Sequence, residues 1–290
     1  MLITRERYRS ETVTSRPTKH ACPGCAAFTL IELLTVITII GILAAIVIPT
    51  VAACRKQAYK AREVSAARQL MTAYMVAADE NRGVLMKGYD GDGKATSEGG
   101  GDVSMNEPNH RWPHRLRPYL GDRFKAVLYI NEQAERYDEV VAENPSGGMK
   151  DYYLSLGPSF GMNTRFVGGD SSSELIEDDP VTRVEQASLP QGLIVFCSAA
   201  NRALDLKSGY WQLQASVYWA GSEDIMGVPD DPAKDGEYGY ISYRLGGRAA
   251  VTFLDGHVSL MSCSQLRDMR LWSEVARVND DPTHRPGAKY

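Results

Sequence analysis

The sequence predicts an α+β protein, with one long N-terminal helix followed by a head built on antiparallel strands. Three observations carry this. Residues 33–54, LLTVITIIGILAAIVIPTVAAC, hold no charged side chain. Ala67, Leu70, Met71, Tyr74 and Ala78 then follow the spacing of one helical face. Near the other end, 249–254 and 257–261 read as two strands around Asp255-Gly256, a hairpin signal.

Composition bounds the rest. A chain of 290 residues makes one or two domains. With 43% hydrophobic and 23% charged residues, it is neither wholly disordered nor a polytopic membrane protein. A net charge of −4 gives no electrostatic case for nucleic acid as a partner. Five cysteines are too few for a disulfide-built scaffold.

The apolar run comes first. At about 1.5 Å rise per residue it spans roughly 30 Å as a helix, the thickness of a bilayer core. Arg5, Arg7, Arg9, Arg16 and Lys19 precede it, against only Glu6 and Glu11. The positive-inside rule keeps that end cytoplasmic and sends the body outward. Glu32 stands at the edge of the run, where a carboxylate either snorkels to water or serves a further role.

The residues around Glu32 account for it. Ala27-Phe28-Thr29-Leu30-Ile31-Glu32-Leu33-Leu34 resembles the processing site of type IV prepilins and type II secretion pseudopilins. The resemblance covers under a tenth of the chain. It implies cleavage by a prepilin peptidase between Ala27 and Phe28, followed by N-methylation of Phe28. Glu32 is then the fifth mature residue, and Gly41 and Pro49 fall at mature positions 14 and 22, where the family tends to have Gly and Pro. Ala27 replaces the commoner Gly, and the leader of residues 1–27 is long. The resemblance further implies a type IV pilin-like fold and no enzyme activity. The partners would be the peptidase, other pilin or pseudopilin subunits and an assembly platform in the bacterial inner membrane. Single-pass insertion would place the N-terminus in the cytoplasm and the head in the periplasm or outside the cell. Glu32 would pair with the Phe28 amine of a neighbouring subunit, since each charge costs most when buried alone.

The helix is expected over 28–82, about 80 Å at the same rise, with 30–53 in the membrane. Pro49 should kink or loosen it, and Gly83 is a stop. The head is expected over 83–276, with a loose polar tail over 277–290. Loss of the leader removes five basic and two acidic residues, so the mature chain carries −7. Residues 87–110 read as a flexible Gly- and Asp-rich loop. Asp90, Asp92 and Glu98 there are a weak calcium candidate, lacking the EF-hand glycine and terminal glutamate. Further strands are expected at 151–156, 192–197, 210–219 and 238–243.

Trp112 to Gly121, Ser159 to Asn163 and Gly247 to His257 resemble a pseudopilin-like group named for an H-x9-D-G element. Asp255-Gly256 is present, as a type I′ turn signal, but Leu245, preceded by Arg244, stands where that group has its histidine. An oxidising exterior would permit a disulfide between Cys197 and Cys263.

Four motifs suggest other chemistries. Val51 to Cys54 loosely fits a lipobox, but its signal would be far too long. Cys22-Pro23-Gly24-Cys25 lies in the leader with no folded partner. Gly157 to Gly161 matches G-x-S-x-G, which needs a strand before and a helix after. His110 and His114 have a ligand spacing that Pro113 disfavours. The rival reading of the whole chain is a membrane-tethered binding protein that does not polymerise.

Overall fold

The computed structural model describes residues 29–96, 102–103, 106–145, 148–171, 180–201, 209–219 and 238–287. The chain divides into two compact units, 1–52 and 53–290. Helix α1, Leu30–Glu80, belongs to both.

In the first unit α1 is apolar on all sides after Glu32, and every side chain from Leu30 to Thr50 except Ala44 is exposed. A helix that is hydrophobic all round needs an apolar surrounding. Among the described residues α1 is the helix long and apolar enough to cross a membrane. Its threonines satisfy themselves within the helix. Thr38 Oγ1 donates to the Leu34 carbonyl (2.7 Å) and Thr50 Oγ1 to that of Val47 (2.8 Å). Pro49 lies inside α1, and the chain is helical on both sides of it.

The second unit is α+β. The rest of α1 packs on a four-stranded antiparallel sheet, the arrangement that the pilin resemblance implies. The strands are β1 (Phe160–Met162), β2 (Ile194–Ser198), β3 (Ala249–Phe253) and β4 (Val258–Met261), in that spatial order. Short helices run between α1 and the sheet: α2 (Asn106–His110), α3 (Trp112–Arg115), α4 (Arg117–Leu120), α5 (Phe124–Leu128), α6 (Glu132–Glu143) and α7 (Gly148–Leu156). Helix α8, Glu274–Val278, follows the sheet.

Both faces of β2 and β3 are covered, so these strands read as apolar runs rather than alternating ones. Along β3, Ala250 joins the core that α1 fills with Leu70, Met71 and Tyr74. Ala249, Val251 and Phe253 face a second core with Leu266 and Trp272. In β2 the bulge between Ile194 and Phe196 adds one residue, and Val195 and Phe196 both turn toward the α1 core.

Helix α1 ends where Arg82 and Gly83 take left-handed conformations, φ 56° and 81°, and the Gly83 N–H returns to the Ala78 carbonyl (2.8 Å). The hairpin between β3 and β4 forms, but not with a type I′ turn. The Gly256 N–H bonds the Phe253 carbonyl (2.9 Å), so Leu254 and Asp255 are the central residues, and Gly256 follows at φ 93°. That is a type I turn closed by a glycine bulge. It spares Asp255 the left-handed backbone that I′ would impose.

Three expected strands are absent. Residues 151–156 belong to α7, where Tyr129 Oη donates to the Leu154 carbonyl (2.5 Å). Residues 210–219 and 238–243 reach the sheet only through single bridges, Met162 to Gln212 and Ala199 to Ile241. Among the described residues, 277–287 are tied back to the head. The Met269 N–H bonds the Pro282 carbonyl (2.9 Å), and His284 is buried.

Candidate functional site

The first candidate region opens α1. Thr29 is its N-cap, and Glu32 sits three residues on. The Thr29 N–H and hydroxyl both donate to Glu32 Oε2 (2.9 and 2.8 Å), while the Glu32 N–H donates to Thr29 Oγ1 (3.2 Å). This is a capping box, in which each side chain satisfies the other's backbone donor. Glu32 is exposed, so its carboxylate stands at the open end of α1. Ala27 and Phe28 lie outside the described residues, as does Cys22-Pro-Gly-Cys25. Gly41 has open space around it: a Cβ added there meets nothing within 4 Å.

The second region ties α1 to the sheet. Glu63 is fully buried on the helix face that also carries Ala67, Leu70 and Tyr74. Arg244 grips its carboxylate with two nitrogens, Nε to Oε2 (3.0 Å) and Nη2 to Oε1 (2.8 Å). Ser198 of β2 donates to Oε1 (2.5 Å), and Asn131 Nδ2 reaches Oε2 at 3.4 Å. Arg244 also donates to the Ala199 and Ser159 carbonyls (3.0 and 2.9 Å). A buried carboxylate is tolerated when its charge and lone pairs are this fully met. Sequence reasoning missed the pair, which is 181 residues apart in the chain. A signal existed: Glu63 falls in register with the apolar stripe of α1, where a solvated glutamate has no place. Leu245, standing where the H-x9-D-G histidine would be, is buried in the α1 core.

The other sequence candidates separate. Asp255 and His257 pair at the hairpin tip, Oδ1 to Nδ1 at 2.7 Å. Partial burial works against the Asp255 charge. Hydrogen bonds from the His257 N–H and ring outweigh it and hold the carboxyl below its ordinary range. Ser159 is buried, and its hydroxyl accepts from the Ile130 N–H (3.0 Å). The strand–turn–helix order required of a nucleophile is inverted, with α7 before Ser159 and β1 after it. His114 bonds the Asp151 carbonyl (2.9 Å) and His110 the Tyr89 hydroxyl (3.0 Å), so the two rings serve different partners. Asp90 pairs with Lys87 and Arg115 (3.5 and 3.6 Å), and Glu98 lies outside the described residues. Among the described residues no three His, Cys, Asp or Glu side chains gather as metal ligands.

Cys197 and Cys263 are both buried free thiols, and the disulfide expected between them is not made. Strand order explains it. Cys197 is in β2 and Cys263 follows β4, with β3 between. Cys54 is an exposed free thiol within α1.

Burial pushes the Cys197 thiol and the Tyr74 and Tyr243 hydroxyls well above their ordinary values. The sign follows directly. Above the ordinary thiol and phenol values, about 8.5 and 10, the unfolded chain loses these protons while the folded chain keeps them. Stability contributed by these groups is therefore complete below about pH 8.5 and falls as pH rises. Urea midpoints of the head should drop steadily from pH 8 to 10.5, and a flat profile would contradict this assignment.

No curated protein and no solved structure matches the chain. Residues 22–48 do match a family model, that of the prokaryotic N-terminal methylation motif. The match takes in the Phe28-Thr29-Leu30-Ile31-Glu32 block and most of the exposed apolar turns of α1, so the chain opens its membrane-capable helix with the signature of type IV pilins and pseudopilins.

Proposed function

We propose that the chain is a pilin-like structural subunit rather than an enzyme. Prepilin peptidase cuts it between Ala27 and Phe28 and methylates Phe28. The mature chain is held in the bacterial inner membrane by α1, N-terminus cytoplasmic and head outward. It then assembles with other pilin or pseudopilin subunits, on an assembly platform, into a type II secretion pseudopilus or type IV pilus-like filament. The single observation that carries this is the methylation motif at 22–48, lying on a helix whose apolar surface is uncovered. In such an assembly Glu32 exchanges its local bonds with Thr29 for the Phe28 amine of a neighbour, while Gly41 offers a place for close helix approach.

The test begins with intact mass and N-terminal peptide mapping of membrane-extracted protein, made in a host with its own prepilin peptidase. The expected chain starts at N-methyl-Phe28. A chain starting at Met1, with a control prepilin processed alongside, overturns the reading in favour of a tethered, non-polymerising binding protein. Glu32→Ala should be processed normally yet lose its crosslinks to other subunits. Unchanged crosslinking removes Glu32 from assembly.

A further inference from the structure

Arg111 is a buried cation without an anion. Only 8% of it is exposed, yet it forms no ion pair among the described residues. Its Nη1 donates to Ser155 Oγ (2.9 Å), while its Nε is buried with no partner. Its guanidinium instead lies between two rings, 5.0 Å from the centre of Tyr152 and 5.6 Å from that of Trp211. A buried charge is normally paired, because leaving water is costly when nothing replaces it. Aromatic faces attract the cation but accept none of its N–H bonds.

The rings continue outward from Trp211. Tyr210 lies 6.2 Å from it, and Tyr240 lies 4.6 Å from Tyr210. Tyr152, Tyr210 and Tyr240 are each only partly buried. Tyr240 is held at φ 63°, a left-handed backbone that bulky residues avoid. Such strain persists where the surrounding structure imposes it, and it gathers at binding sites.

We propose that this array is a binding site for an acidic saccharide, specifically a hexuronate unit. The planar carboxylate matches the guanidinium fork, which still has donors to give. The sugar ring stacks on the tyrosine faces, whose hydroxyls suit its hydroxyl groups. A mature chain of net charge −7 disfavours polyanions such as nucleic acid. One cationic group set among aromatic rings takes one carboxylate of a short acidic saccharide, whose neighbouring unit stays outside the guanidinium fork. The site lies wholly in the head and does not depend on processing or assembly.

The test is calorimetric titration of the full-length chain in detergent micelles with digalacturonate, and with maltose and acetate as single-feature controls. Digalacturonate should bind saturably, with each control at least about tenfold weaker. Arg111→Gln should weaken digalacturonate by about tenfold or more. Tyr240→Gly removes a ring at a backbone position that glycine prefers. It should keep the melting temperature and lose affinity, which separates a binding role from a folding role even where Arg111→Gln is unstable. Absence of saturable binding, or unchanged affinity in both variants, overturns the site. Acetate binding as tightly as digalacturonate overturns the saccharide assignment.

Discussion

Arg244→Met should cost the head about 3–5 kcal/mol, the effect of removing one partner from a buried ion pair. The Glu63 carboxylate would remain fully buried, keeping Ser198 and Asn131 but losing its countercharge. The Ala199 and Ser159 carbonyls would lose their Arg244 donors as well. Typical domains have about 5–15 kcal/mol in total, so this one change approaches the whole margin. Glu63→Gln should be milder, since an amide can still bond Arg244 without demanding a countercharge. The double variant Glu63→Gln with Arg244→Met should lose less than the two single losses added together, because no buried charge is stranded. Urea unfolding followed by tryptophan fluorescence reads all three. Additive losses would show that the two residues act separately, and the ion pair would then not be what fixes α1 on the sheet.

The contrast between α1 and this pair shows what a sequence displays. The uncharged run of residues 33–54 and the stripe from Ala67 to Ala78 are local periodicities, and both appear in the structure as one helix. The hairpin was legible from Asp255-Gly256, although the turn type depended on the backbone of Asp255, which composition does not reveal. Residues 151–156 carry two tyrosines and two leucines and resemble a strand. They become helical because Leu154 packs inward and Tyr129 bonds its carbonyl, a contact made from 25 residues away. The apolar residues of β2 and β3 announced burial correctly, but on which side each side chain falls was set by the bulge at Ile194. Arg111 had no local signal at all. Its rings come from Tyr152 and Trp211, in distant parts of the chain. The methylation motif was the reverse case, a short run of residues that is complete in sequence and that the family model matches at 22–48.

Trp112→Ala should be the most damaging single change in the apolar core, at about 3–5 kcal/mol. The indole is fully buried, with its ring centre 4.9 Å from that of Phe196 in β2. Its Nε1 donates to the Trp211 carbonyl (2.6 Å), joining α3 to the segment beside β1. Trp112→Phe separates the two contributions. It keeps most of the apolar contact and loses one hydrogen bond. The Trp211 carbonyl still accepts from the Met162 N–H (2.9 Å), so that loss should be only about 1 kcal/mol. Val278→Ala, at a site 67% exposed, is the matched control and should stay within about 0.5 kcal/mol. Arg111, the preceding residue, lies over the ring of Trp211, so both neighbours hold the same residue by different parts. If Trp112 positions Trp211, Trp112→Ala should also weaken digalacturonate binding in whatever fraction stays folded, whereas Trp112→Phe should leave it near the wild-type value. Loss of binding in Trp112→Phe at full stability would mean that the indole N–H, rather than the packed ring, sets the position of Trp211.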